Sequence, residues 1–169
     1  MSVASKVKEF IETCPFLEEF GQVTYPVVNL NVLEEDPTMY SIEETPAEPV
    51  IKRFANGDTV RQYVFSLCSR ELYGPAENEK TAEFYEKFSD WLEERTREGI
   101  LPALSGQLQS KSVRATTNGY LYDNQGTSCQ YRIQCQFIYY KRRPLIAANT
   151  GVCTLPSELL PKPTALQTA

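Results

Sequence analysis

From Ser128 to Arg142 two kinds of residue alternate along most of the segment. Tyr131, Ile133, Cys135, Phe137 and Tyr139 occupy one set of positions, and Gln130, Arg132, Gln134 and Gln136 the other. Successive side chains of a strand point to opposite faces, so this pattern predicts a strand with one face in a core and the other polar. Straight, it would run about 50 Å, against about 17–20 Å for an ordinary strand. Thr59–Arg70 carries a similar pattern, with Tyr63, Phe65 and Leu67 on one face and Gln62, Val64 and Ser66 on the other. It would run about 40 Å. A domain built from 169 residues has a radius of gyration of only about 15 Å. Strands this long must bend, be shortened by bulges, or project, and projection exposes an edge that another subunit can extend.

The remaining segments fit around these two. Val3, Val7, Phe10 and Ile11 recur at helical spacing over residues 3–13, and Cys14-Pro15 closes the run. Gln22–Leu33 and Met39–Glu44 have strand composition, with Pro26 pointing to an edge or a bulge. Val50–Ala55 joins Thr59–Arg70 through Asn56-Gly57-Asp58, a strong hairpin signal. Phe84, Tyr85, Phe88, Trp91 and Leu92 form one stripe of a helix over Glu79–Glu98, with Asn78 as its expected cap and Gly99 just past its end. Val113–Tyr122 is expected as one strand, joined to the last across Asp123-Asn124-Gln125-Gly126. The order predicts an α+β domain over residues 1–143, with two helices on an antiparallel sheet of about six strands. The Pro-rich extension 144–169 lacks periodicity and cannot fold alone; it is a disordered tail or an arm that lies on a neighbour.

Composition narrows the chemistry. There is no histidine, which removes Ser-His-Asp and Cys-His catalysis, most catalytic zinc sites and any histidine pH switch. The five cysteines, Cys14, Cys68, Cys129, Cys135 and Cys153, include no C-x-x-C pair. Cys129 and Cys135 would stand about 20 Å apart on one strand, so a reducing environment is expected and metal binding is not. The N-terminus lacks the long apolar run of a signal peptide, and no stretch has the length of a membrane span, so a soluble protein is expected.

The net charge of −5 hides a polarity along the chain. Residues 1–51 hold ten acids and two bases, whereas residues 104–143 hold six bases against Asp123 alone. A chain acidic at one end and basic at the other can meet copies of itself head to tail, unless folding mixes the two charges on one surface. Phosphate-loop, dinucleotide, nucleophile-elbow, calcium-loop and zincin patterns are absent. The carboxylate pairs Glu18-Glu19, Glu34-Glu35-Asp36, Glu43-Glu44 and Glu93-Glu94 are the ordinary content of solvated faces and turns. Lys141-Arg142-Arg143 can touch phosphate, but the negative total and the lack of a nucleic-acid module argue against a dedicated binder.

Several segments in order carry a resemblance. They are Phe10-Ile11-Glu12-Thr13-Cys14-Pro15-Phe16-Leu17, Asp36-Pro37-Thr38-Met39-Tyr40-Ser41-Ile42, Phe54-Ala55-Asn56-Gly57-Asp58 leading into Gln62-Tyr63-Val64-Phe65, and Phe84 through Leu92. Gly119-Tyr120-Leu121-Tyr122-Asp123 and Tyr131-Arg132-Ile133-Gln134-Cys135 complete the set. Over residues 6–142 the chain resembles a family of small tail-completion proteins of long-tailed bacteriophages, regarded as tail terminators or minor capsid proteins. Pro144–Ala169 is not part of that pattern. The resemblance implies a virion structural protein, assembled in the host cytoplasm, with no catalytic residues and no cofactor. It implies a ring, hexameric by expectation, that caps the tail tube, stops tube polymerisation and joins the head-side connector. Its partners would be further copies, the tube protein and the connector or stopper protein, with DNA passing through without specific binding. Relatives are sometimes labelled chloramphenicol-resistance proteins; the usual general base of such an acetyltransferase is a histidine, which this chain lacks. The alternatives are a neck or stopper protein of the same virion and a small carboxylate-based enzyme.

Three expectations attach to residues. Arg132, Lys141, Arg142 and Arg143 would meet the acidic N-terminal third of the next copy. Glu34, Glu35, Asp36, Glu43 and Glu44 would line a lumen, repelling the DNA backbone. The extension 144–169 would dock on a neighbour or on the tube.

Overall fold

A computed structural model describes residues 2–17, 28–32, 40–72, 74–124 and 128–144. In chain order these form α1 (Val3–Ile11), β1 (Val28–Leu30), β2 (Tyr40–Glu44), β3 (Val50–Arg53), β4 (Thr59–Leu72), α2 (Pro75–Glu98), β5 (Leu108–Ala115), β6 (Tyr120–Asn124) and β7 (Ser128–Lys141). The fold is α+β: two helices lie on one face of a seven-stranded, mostly antiparallel sheet.

The two long strands are each other's partners. β4 and β7 pair antiparallel from Thr59↔Lys141 to Leu72↔Ser128 without a register shift, a ladder of about 44 Å at the usual rise. They are neither shortened nor interrupted. Instead, each outer edge of the pair is covered by two short strands end to end. β2 and β3 lie along β4, and β5 and β6 along β7. The register shifts fall in the flanking strands, between Val50 and Lys52, Ser110 and Ser112, and Leu121 and Asp123. β1 adds to β2 in parallel, so the sheet is not wholly antiparallel as expected. Of the expected strand Gln22–Leu33 the described residues 28–32 include a strand over Val28–Leu30, and residues 22–27 and Leu33 lie outside the described residues.

Local chemistry explains the turns and one miscount. In the β3–β4 hairpin Gly57 has φ +87° and its N–H donates to Phe54 O, while Asn56 Oδ1 accepts from the Asp58 N–H at 3.0 Å. The expected single strand Val113–Tyr122 is instead two, which makes seven strands rather than six. Residues 116–119 leave the ladder, with the Thr116 and Thr117 N–H groups both turned to Gln134 O. Gly119 lies flat on Tyr85, where an added Cβ would stand 2.5 Å from Tyr85 Cβ. β5 starts earlier than expected, at Leu108, because pairing with β7 overrides the weak strand composition of Gln109, Ser110 and Lys111.

The long helix also starts earlier, at Pro75, a position that suits proline because its missing N–H has no intrahelical partner there. Asn78 is therefore not the cap. Its N–H donates to Gly74 O, and its side chain accepts from the Tyr131 hydroxyl at 2.9 Å. Gly99 ends the helix in the left-handed region at φ +76°, as expected.

The core lies between the helices and one sheet face. Phe84, Tyr85, Phe88, Trp91 and Leu92 of α2 are all buried, as are Phe65, Leu67, Ile133, Cys135 and Phe137 of the central strands. α1 adds Val7, Phe10 and Ile11, with Phe10 stacked on Trp91 at 5.0 Å between centroids. Burial of this aromatic layer, at about 25 cal/mol per Å² removed from water, is the main force holding the helices down. The opposite sheet face carries no helix among the described residues.

Candidate functional site

Along that second face the ladder puts Ser66 opposite Gln134, Cys68 opposite Arg132 and Arg70 opposite Gln130, with Ser41 and Glu43 of β2 beside Cys68 and Ser66. Here one expected interface base meets one expected lumen acid inside a single chain. The Arg132 guanidinium is 2.8 Å from Glu43 Oε2 and lies 3.6 Å from the Tyr122 ring centroid. Both partners are largely shielded, so neither charge is spare. Beneath them Cys68 is fully buried, and burial, helped by the Glu43 charge, pushes its thiol up to about 12. That thiol is protonated and a poor nucleophile.

Glu43 and Glu44 do not form one acidic wall. Adjacent strand residues face opposite ways, and Glu44 lies on the helix-bearing side, where its Oε1 accepts from the Tyr63 hydroxyl at 3.2 Å. Glu34, Glu35 and Asp36 lie outside the described residues.

Lys141, Arg142 and Arg143 stand at the other end of the ladder. Nine strand rises separate Lys141 from Arg132, about 30 Å. Around them converge three segments, 50–61, 105–112 and 138–144. These segments hold seven bases, Lys52, Arg53, Arg61, Lys111, Lys141, Arg142 and Arg143, against one acid, Asp58. Two aromatic rings sit among them. Phe54 and Tyr140 meet edge to face at 5.9 Å, Lys52 Nζ lies 4.9 Å from the Phe54 centroid and Lys111 Nζ 5.8 Å from that of Tyr140. The Asp58 carboxylate accepts from the Tyr140 hydroxyl, the Arg143 N–H and Asn56 Nδ2. Those hydrogen bonds, Tyr140's first, hold its carboxyl below the usual range. Sequence alone singled out three of the seven bases; the other four are scattered between positions 52 and 111 and are gathered only by strand pairing.

A third polar cluster lies under α2. Tyr85 Oη is 2.8 Å from Ser69 Oγ and donates to Tyr131 O at 3.3 Å. Beyond Ser69 on the same face is Glu71, whose carboxyl is pushed up to about 7 by burial, against a lowering hydrogen bond from Ser69. The Tyr40 hydroxyl beside it is buried without a hydrogen-bond partner among the described residues, and burial raises it strongly. The alternation read from the sequence stops at Arg70 and so misses Glu71, which the strand includes. Carrying the alternation of Leu67 and Ser69 one step further puts it on the core face.

The described residues also line two surface hollows. One, of about 500 Å³, lies between α2 and the 116–119 turn and carries Glu86, Ser89, Asp90, Asn118 and the edge of Tyr85. The other, of about 420 Å³, lies beside β2 and β4 and is lined by Glu44, Pro46, Pro49, Gln62 and Tyr63. Among the described residues no three His, Cys, Asp or Glu side chains are grouped as metal ligands. No described helix is long and apolar enough to cross a membrane. No known protein-family model and no curated protein matches this chain.

Proposed function

We propose that the chain is a structural tail-completion protein of a long-tailed bacteriophage, whose copies close into a ring that caps the tail tube and joins it to the head-side connector. A closed ring needs two different surfaces on each copy, one for each neighbour. The observation that carries this reading is the pair of unlike lateral edges. On one side β6 exposes Tyr120, Leu121 and Tyr122 along an edge that has no partner among the described residues. On the other side β1 and β3 each pair on one edge only among those residues. Unpaired strand edges are adhesive, and edge-to-edge addition of the next copy satisfies their backbone groups.

In this reading the lateral contacts run along the sheet edges. Arg132 is engaged with Glu43, and Lys141, Arg142 and Arg143 sit at the tip of the ladder, where they belong to neither edge. Native mass spectrometry and negative-stain images of the purified protein test the proposal. A closed ring, six copies by expectation, supports it; a monomer at concentrations of tens of micromolar defeats it. Density for the chain in intact particles then separates a terminator, against the tube, from a stopper in the adjacent layer.

A further inference from the structure

We infer that the tip of the β4–β7 ladder is a sequence-independent binding surface for the phosphate backbone of duplex nucleic acid. The inference does not rest on the ring, and it reverses what the negative total charge suggests. Net charge governs long-range behaviour, but a phosphate backbone responds to the local surface it touches, within about a Debye length of 8 Å.

Across the three segments the balance is seven bases to one acid, and that acid is occupied; the next acid along the sheet is Glu48, whose carbonyl accepts from Gln62 Nε2. Asp58 holds the turn through Tyr140, Arg143 N–H and Asn56, so its oxygens are committed to the protein. None of the seven bases comes within 4 Å of a carboxylate among the described residues, although the Arg142 charge acts on Asp58 from further away; Arg95, by contrast, pairs with Glu98, and Arg132 with Glu43. Lys52, Lys111, Arg142 and Arg143 are exposed.

Their placement is also ordered. The two rings support Lys52 and Lys111 by cation–π contact, which restrains flexible side chains that would otherwise lose more entropy on binding. Arg142 follows at the end of β7, its N–H tied to Gln107 O. Arg143 is laid across the hairpin, where a Cβ on Gly57 would stand 2.6 Å from Arg143 Cδ. Four strands, β3, β4, β7 and β5, lie side by side here at about 4.8 Å spacing, giving a platform about 15 Å wide. The Asn56 side-chain amide is held by Asp58, and the flexible cations that dominate the tip favour phosphate oxygens, so the contact carries no sequence preference.

The experiment measures binding of a fluorescent mixed-sequence DNA duplex by anisotropy across a salt series. If Lys52, Lys111, Arg142 and Arg143 each neutralise one phosphate, affinity falls about 150-fold between about 50 and 200 mM salt. The triple variant K52Q/K111Q/R142Q keeps one of these contacts and should show only a three- to fourfold fall over the same range, after a large loss of affinity at low salt. All three positions are exposed, and an unchanged circular dichroism spectrum confirms the fold. Absence of binding at low salt, salt-independent binding, or a triple variant that binds like the parent would overturn the inference. So would equal binding of poly-glutamate, which would assign the tip to an acidic protein surface. Native mass spectrometry of the parent protein, with Lys52 and Lys111 in place on their edge strands, reads ring formation separately, so failure of one proposal is distinguishable from failure of the other.

Discussion

Glu71 gives the sharpest quantitative expectation, because its environment opposes its charge. Burial raises its carboxyl to about 7 in the folded chain, against about 4.5 for the same group in the unfolded chain. The folded state therefore binds a proton that the unfolded state has already released. Below the unfolded value both states are protonated and Glu71 has no effect. As pH rises from about 4.5 to about 7, folding loses up to about 3 kcal/mol, at 1.36 kcal/mol for each unit of separation, and above about 7 the loss is constant. Glu71→Gln removes the titration while keeping the shape. The variant should match the parent near pH 4.5, gain stability steadily through pH 6, and lead by about 2–3 kcal/mol at pH 8. Tyr40 and Tyr85 face the same region, and Cys129 pairs opposite Glu71. Burial raises all three, so none titrates in this window. Urea unfolding of both proteins, followed by tryptophan fluorescence at several pH values, measures the difference, and the pH dependence common to the two cancels. A constant gap between pH 5 and 8, or a variant less stable at pH 8, would refute the burial argument.

Two further substitutions test the seam between α2 and the sheet. Gly119→Val places a branched side chain where a single Cβ already stands 2.5–2.9 Å from Tyr85 atoms, so the turn and the helix must separate. A loss of about 1–3 kcal/mol is expected, and unchanged urea unfolding would show that the turn yields freely. Tyr85→Phe removes the hydroxyl shared by Ser69 and Tyr131 O in a fully buried site, and should cost about 1–3 kcal/mol. A stable Phe variant would mean that Ser69 is satisfied by Glu71 alone.

What could be read from the sequence divides along one line. Elements whose burial is one-sided announce themselves, because the period of their apolar residues is the period of the backbone. The β7 alternation and the α2 stripe are seen in the fold residue for residue, Tyr131 to Tyr139 and Phe84 to Leu92. Where pairing rather than burial decides the structure, the sequence is silent. β5 begins at Leu108 through polar residues that only the β7 partner recruits, and the break at 116–119 depends on Gly119 meeting a ring thirty-four positions earlier. The candidate surfaces follow the same division. Arg132 belongs to a basic segment in the sequence, yet strand pairing sets it beside Glu43, whereas Lys52 and Lys111 gain their importance only from the strands that carry them to the Phe54–Tyr140 pair.

The length of the central ladder gives these placements a consequence for how the ends act. Arg132 with Glu43 and the basic tip are about 30 Å apart, several times the Debye length of about 8 Å at physiological salt. Charges at one end are therefore screened from the other, and each end meets its partner with its own local sign. The tip thus presents a basic surface although the whole chain has a net charge of −5. The same separation makes the perturbations additive: substitutions at Glu43 or Arg132 should leave the salt dependence at the tip unchanged, and K52Q/K111Q/R142Q should leave the Arg132–Glu43 pair intact. Coupling between them would require the ladder itself to bend or slip, and β4 and β7 hold register across all fourteen residue pairs.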